Sequence, residues 1–446
     1  MKTLFTRTSR GAPPAPVQAP GGGRPVRWRP SARSRNLATA ASASSAAVLL
    51  TGNAALILLA APALGALALI PGRRPAGQLA VEVTRSGSRC FEGESVTITV
   101  TAGAPAPDEI VLVLEVAAGV AIIGGARTRT FLRAGEVSVR WVLRPDRWGK
   151  YSPGAVRISC RTGQGGWAAT LRVPLEPLEV FPRPARMRPR LVPAELLRRI
   201  GEHTGRAVGE GVEFAAIRPY VPGDQLRDVN GPVSIRRGQL HVNQRSASRA
   251  ADLVVMIDAL AGAGPVADRT LDLAVHGAAA VVAAYLRVSD RAGIVVLGGL
   301  LRWLAPAPGD RHFYRIAEMM LRARYESFIT PDIGLIPRTA LPPGTLVVAF
   351  SPLLDPRAFG MLTDLRQRGF PVIVVDTLRD EPPAGPPLSM TGIALRLWHL
   401  DRAATRAALA NLGVPTLRWP GDAELDAVFA PLRRPPPGLR HPAVRS

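Results

Sequence analysis

The sequence predicts a chain of α/β plus β class: an N-terminal transmembrane helical hairpin, a small antiparallel β-sandwich, and then a doubly wound, Rossmann-type α/β domain. Three observations carry this. Residues 37–70 hold no charge. Residues 79–181 hold short alternating apolar segments punctuated by Gly and Pro, the pattern of strands without intervening helices. From Asp252 onward, continuous apolar runs alternate with helical stretches, the order that builds a mostly parallel sheet.

The first element is a leader, residues 1–36, rich in Pro and Gly and expected to be disordered. It carries eight basic residues and no acid, from Lys2 and Arg7 to Arg33 and Arg35. The tail, 433–446, adds Arg433, Arg434, Arg440 and Arg445, again without acid, and is also expected to be disordered. The chain's net charge of +22 and pI near 11.5 invite a nucleic-acid reading, but much of that excess sits in these tails. No RNA-recognition aromatic pattern, zinc finger or basic zipper accompanies it, so no nucleic-acid partner is expected. The cations are Arg except for Lys2 and Lys150. That bias, with abundant Ala, Gly and Pro, suits a GC-rich coding background such as an actinobacterial one.

Next comes the uncharged run. As one helix it would span about 50 Å, too long for about 30 Å of hydrocarbon. Thr51-Gly52-Asn53 is a turn former near its middle, which divides it into two short helices, about 37–51 and 54–70. Arg33 and Arg35 precede the run and Arg73 and Arg74 follow it, so both ends fall on the positive, cytoplasmic side. The expectation is a two-helix membrane anchor over 37–71, with the bilayer as a partner and the remaining domains in the cytoplasm.

Residues 79–181 read as an antiparallel, immunoglobulin-like sandwich with strands at 79–84, 95–101, 109–116, 136–143, 155–160 and 168–173. Cys90 and Cys160 fall within it, share no CxxC spacing, and read as buried thiols, with a disulfide left open. Residues 182–250 form a basic connector with a helix near 193–202. The α/β domain follows over 251–432. Its strands are expected at 252–257, 293–297, 345–350 and 371–375, with an edge strand at 302–304 added through a Gly298-Gly299 hairpin turn. Its helices are expected at 268–286, 311–324, 356–368, 401–412 and 422–432.

The connector carries the most specific stretch, GEGVEFAAIRPYVPGDQLRDVNGPVSIRRGQLHVNQR over 209–245. Its Glu213, Phe214, Arg218, Tyr220, Pro222, Gly223, Asp224, Arg227, Val229, Asn230, Ser234, Arg236, Leu240 and Val242 stand in one register. This resembles the hallmark of the domain-of-unknown-function family 58 (DUF 58), in which a Trp stands where this chain has Gly231, followed by Pro232. Losing that ring is expected to remove a buried contact of about 2–3 kcal/mol. Asp224 lies close in sequence to Arg218, Arg227 and Arg236, so charge-assisted pairing is expected. The set reads as a partner-recognition surface or as an ion-pair network that locks the connector in place.

The resemblance implies that the following strand opens a von Willebrand factor A-like domain. There an Asp-x-Ser-x-Ser sequence would hold a divalent cation such as Mg²⁺, which takes oxygen ligands. Here the strand runs Asp258-Ala259-Leu260-Ala261-Gly262, so both hydroxyl positions lack a side-chain oxygen. Asp258, Asp310, Ser351 and Asp355 are expected near the sheet's carboxyl edge as a degenerate adhesion site, with no metal and no cofactor. The resemblance also implies cytosolic partnership with a MoxR-type AAA+ ATPase in assembly or maturation of envelope complexes.

Catalytic patterns are missing from the sequence: no P-loop, no GxGxxG after a strand, no GxSxG elbow and no HExxH. The expectation is a non-catalytic interaction or scaffold protein. The alternative is an exported adhesion or ligand-binding module.

Overall fold

In the computed structural model, the described residues run from 23 to 433. Outside the description lie 73, 76–77, 186, 188–212, 222–228, 247–251, 261–264, 289, 324–334, 380–381, 383–384, 387–388, 420 and 422–423. The chain divides into two compact units, Met1–Arg183 and Pro184–Ser446.

In the first unit, helix α1 (Ala32–Thr51) and helix α2 (Ile57–Ala68) turn back on each other. Ser31 caps α1 by accepting from Ser34 N, and Gly52 ends it at φ 65°, a left-handed conformation that glycine adopts without strain. This hairpin corrects the transmembrane expectation. Among the described residues, no helix is long and apolar enough to cross a membrane. Helix α1 has the length, about 30 Å, but is built from Ala, Ser and Thr with Arg33 and Arg35 in its first turn. Helix α2 is apolar, but its 12 residues reach only about 18 Å, against about 30 Å of hydrocarbon. The two-helix membrane-spanning anchor and the multi-pass membrane localisation therefore fall together.

The base of the hairpin is instead stitched to the strand-rich body. Ser31 N and Ser34 Oγ both donate to Gly166 O, at 2.8 and 2.6 Å, and Trp167 Nε1 donates to Pro71 O at 2.9 Å. That body is two five-stranded sheets and one of three strands. Strand Val96–Gly103 alternates buried and half-buried residues along its length, the signature of a sheet with one face on a core. Leu79, Ile98, Val100, Leu112, Trp141, Ile158 and Cys160 fill that core. The leader contributes as well: Gly23–Pro25 pairs with 78–80, Arg29–Pro30 pairs with 167–168, and Trp28 is buried. Cys90 and Cys160 are both free and buried. Burial pushes their thiols up to about 12 and about 11, which leaves them as inert packing groups at neutral pH.

The second unit opens with a two-stranded antiparallel ribbon, β1 (Glu213–Pro219) and β2 (His241–Ser246), with the short helix α3 (Gly231–Arg237) between them. The helix expected near 193–202 lies outside the described residues. Then comes a six-stranded sheet: β3 (Asp252–Asp258), β4 (Arg291–Leu297), β5 (Arg302–Ala307), β6 (Leu346–Ser351), β7 (Val372–Asp376) and β8 (Thr416–Arg418). Its spatial order is β5-β4-β3-β6-β7-β8, all parallel except β5.

Helices α4 (Pro265–Arg287), α5 (Asp310–Met320), α6 (Pro356–Gln367), α7 (Met390–Asn411) and α8 (Leu425–Phe429) connect or follow these strands. Strands β3, β6 and β7 are buried almost throughout because helices cover both faces. Helix α4 lies close: a Cβ at Gly277 would collide with the rings of Phe350 and Trp419. Those two rings meet edge to face at 6.4 Å.

Candidate functional site

Strand order places the site. The chain leaves β3 toward β4 on one side and later returns to β6 on the other, so the carboxyl ends of β3 and β6 form the topological switch point. In open α/β sheets, ligands bind in the crevice outside such a point. Asp258 ends β3, Ser351 ends β6, and Asp376, in register with Ser351, ends β7.

All three side chains are buried. Ser351 Oγ donates to Asp258 Oδ2 at 2.5 Å, and Leu260 N donates to Asp258 Oδ1 at 3.0 Å. Ser351 Oγ in turn accepts from Leu353 N at 3.0 Å. Leu353 makes that bend at φ 53°, a left-handed conformation costing a non-glycine residue about 1–2 kcal/mol. Burial pushes the Asp258 carboxyl up to about 6, against the opposing pull of the Ser351 and Leu260 hydrogen bonds. The Leu260 side chain packs against the core.

Asp376 is satisfied differently. Arg402 of α7 donates from Nη2 to Asp376 Oδ2 at 2.7 Å and from Nη1 to Pro352 O at 2.5 Å. Leu378 N donates to Asp376 Oδ1 at 3.1 Å. The Arg402 guanidinium also lies 5.2 Å from the centre of the Trp398 ring. A buried cation from α7 thus ties the ends of β6 and β7 together.

Asp355 caps α6, accepting from Arg357 N at 2.9 Å and from Arg357 Nη2 at 2.7 Å. The Arg357 hydrogen bonds hold its carboxyl below the ordinary aspartate value. Asp310 is elsewhere. It opens α5 after β5, whose last residue Ala307 pairs with Ala292 near the start of β4, so the antiparallel edge strand carries Asp310 to the sheet's amino edge. This corrects the expectation of Asp310 at the carboxyl edge; a Gly298-Gly299 hairpin turn already implies an antiparallel edge strand, and such a strand delivers the chain to the opposite edge. Among the described residues, no three His, Cys, Asp or Glu side chains gather as a metal-holding group.

The motif residues are placed unevenly. Glu213, Phe214 and Arg218 lie in β1, opposite Ser246, Arg245 and Val242 of β2; their side chains are outside the described residues. Pro222, Gly223, Asp224 and Arg227 lie outside them entirely, as does Gly262 of the strand-end sequence. Tyr220 is half-buried and its backbone N donates to Leu240 O at 2.8 Å. Asn230 is the N-cap of α3, its Oδ1 accepting from Val233 N at 3.2 Å, and Pro232 sits in the first turn, where no donor is needed. Ser234 fastens the helix to β2: its Oγ donates to Asn230 O at 2.7 Å and accepts from His241 N at 2.9 Å.

Arg236 is exposed in the last turn of α3. Gly231 is exposed too, and a Cβ there would meet nothing within 4 Å. The expected loss of a buried ring contact at this position is therefore not seen; Asn-Gly-Pro is a helix start.

Two residues central to this geometry, Asp376 and Arg402, do not stand out in the sequence. The only available cue was a lone Asp at the end of an apolar strand, the same cue that marks Asp258.

Comparison with known proteins adds a family match over part of the chain. An uncharacterized protein of Mycobacterium bovis is 31% identical over 181 residues, covering 40% of this chain and 51% of the relative. Two Mycobacterium tuberculosis strains carry uncharacterized proteins that match to the same extent. The chain spans about half the length of these curated relatives. Among solved structures, the cupredoxin domain of amoB from Nitrosocaldus yellowstonii covers 25% of this chain and 96% of its own at 12% identity, with a TM-score of 0.16. A non-cellulosomal cohesin from Archaeoglobus fulgidus covers 21% of this chain and 84% of its own at 11% identity, with a TM-score of 0.15. Neither carries an argument at those scores. Residues 216–392, from within β1 to the first turn of α7, match the family described as "Protein of unknown function DUF58".

Proposed function

We propose that this chain is a non-catalytic interaction scaffold. In this reading the α/β unit is a von Willebrand factor A-like docking body with a degenerate adhesion site. It works with a MoxR-type AAA+ ATPase in the assembly or maturation of envelope complexes. The observation that carries the reading is the closed state of the switch point: both oxygens of Asp258 are taken by protein donors, one of them Ser351 Oγ. A cation there would need Asp258 ionised and the Ser351 oxygen turned toward it. The surrounding chain offers Leu260 in place of a further oxygen. The order β5-β4-β3-β6-β7-β8, with an antiparallel β5 at the edge, supports the von Willebrand factor A-like assignment. The ATPase partner rests on the resemblance of 209–245 to its family.

The test is capture of the full chain from lysate of its own host under conditions that trap the ATP-bound state, read by mass spectrometry. Enrichment of a MoxR-type AAA+ ATPase, reduced by Arg236→Glu on the exposed end of α3, is the expected result. Recovery of no such ATPase under trapping would overturn the partner assignment.

A further inference from the structure

Helix α7 has two faces of different character. Residues 395, 402 and 409 recur every seven positions and point inward: Leu395 is half-buried, Arg402 holds Asp376, and Leu409 is fully buried in the sheet's core. The opposite face repeats with the 3-4 spacing of a coiled-coil seam: Met390, Ile393, Leu397, Leu400, Ala404 and Ala407. Every one of these is exposed, with Met390 at 82%, Ile393 at 44%, Leu397 at 62% and Leu400 at 66%. A scattered exposed leucine needs no explanation, but four large apolar residues in one seam do. The family match ends at residue 392, so nearly all of this seam lies beyond it.

The charges beside the seam indicate what covers it. With Met390, Leu397 and Ala404 at a and Ile393, Leu400 and Ala407 at d, Arg396 takes position g and Asp401 position e. When two parallel copies pair in register, g of one helix faces the following e of the other. Arg396 of one copy then meets Asp401 of the second, twice per dimer. Neither side chain has an ion-pair partner among the described residues. The other flanking positions, Ala394, Ala403, Ala408 and Ala410, are small and let the helices approach.

We propose that the outer face of α7 is a self-association surface, on which a second copy of this chain pairs through a short parallel coiled coil centred on Leu397 and Leu400. The seam is only about four turns long, so the dimer is of the modest, reversible kind. The inference is independent of the scaffold reading and of any ATPase partner.

Sedimentation of the full chain from about 1 to about 100 μM spans the range in which a micromolar dimer forms. The expected result is a mass that doubles across that range and stays monomeric in Leu397→Glu/Leu400→Glu. Both leucines are exposed, so circular dichroism and melting of that variant should match the parent. Asp401→Arg alone is expected to weaken the dimer at least tenfold, and Arg396→Asp/Asp401→Arg to restore it. A parent chain that is monomeric throughout, or a dimer indifferent to the leucine substitutions, would overturn the proposal. A dimer that needs the leucines but ignores the charge exchange would overturn the parallel register.

Discussion

Asp258 and Asp376 end strands on either side of β6, and both are buried, yet they are accommodated in different ways. Asp376 receives a guanidinium from α7, a full opposite charge reinforced by a backbone amide. Asp258 receives only neutral donors, a hydroxyl and an amide. The first arrangement fixes a helix: Arg402 also donates from Nη1 to Pro352 O and so locks α7 to the sheet edge. The second leaves a carboxylate whose ionised form is poorly compensated, as its raised pKa of about 6 records. Similar residues at neighbouring strand ends can therefore serve opposite purposes, one as a structural clamp and the other as a buried acid at the switch point.

Breaking the clamp has the largest expected effect. Arg402→Met strands Asp376 without its close cation, leaving Arg406 Nε at 3.7 Å. Removing one partner of a buried pair costs about 3–5 kcal/mol. Urea denaturation at neutral pH should show a loss of that size; a loss under about 1 kcal/mol would mean that Arg406 or water carries the charge.

Asp258→Asn should act in the opposite direction. The carboxyl titrates at 3.8 in an ordinary setting and at about 6 when buried here, so between these values the folded chain holds a proton that the unfolded chain has released. Stability from this group therefore falls as pH rises through about 4 to 6 and stays low above that window. A shift of about two units corresponds to about 3 kcal/mol, an upper figure for the gain of the neutral amide at pH 7.5. The gain should vanish below about pH 4. A variant with no gain at pH 7.5, or with equal gains at both pH values, would contradict the burial account.

Ser351→Ala is the mildest change. It withdraws the Asp258 donor and the acceptor for Leu353 N, at a cost of about 1–3 kcal/mol. It should also raise the upper end of the pH window, because the hydroxyl is the strongest force holding the Asp258 pKa down.

Much of this architecture was written in hydrophobic period. The apolar run at 252–257, the Ala-rich helix after it and the alternating strands of 96–103 and 136–145 stand where their patterns put them, because each packs one face or two against a core. The membrane expectation fails for a physical reason. Absence of charge is not lipid-facing apolarity: 32–51 is dominated by small, weakly apolar residues and the strongly apolar part is a 12-residue helix. Residues 23–30 were hidden because two- and three-residue edge strands in a Pro- and Arg-rich leader carry no period.

At the candidate site, Asp258 was legible as the end of a buried strand. Arg402 was not, since its partners Asp376 and Pro352 are 26 and 50 residues away in sequence. The N-terminal half of α7 also escaped, because its apolar residues face outward, where a core-seeking pattern does not look.

The account rests on the switch point being closed by the protein's own donors. Calorimetric titration of the full chain with Mg²⁺ and Mn²⁺ through the millimolar range, at a pH above 7 where Asp258 is ionised, tests this directly. The account predicts no saturable heat. A saturating isotherm that disappears in Asp258→Ala would contradict it, because an ion would then have displaced Ser351 from the carboxylate it occupies here.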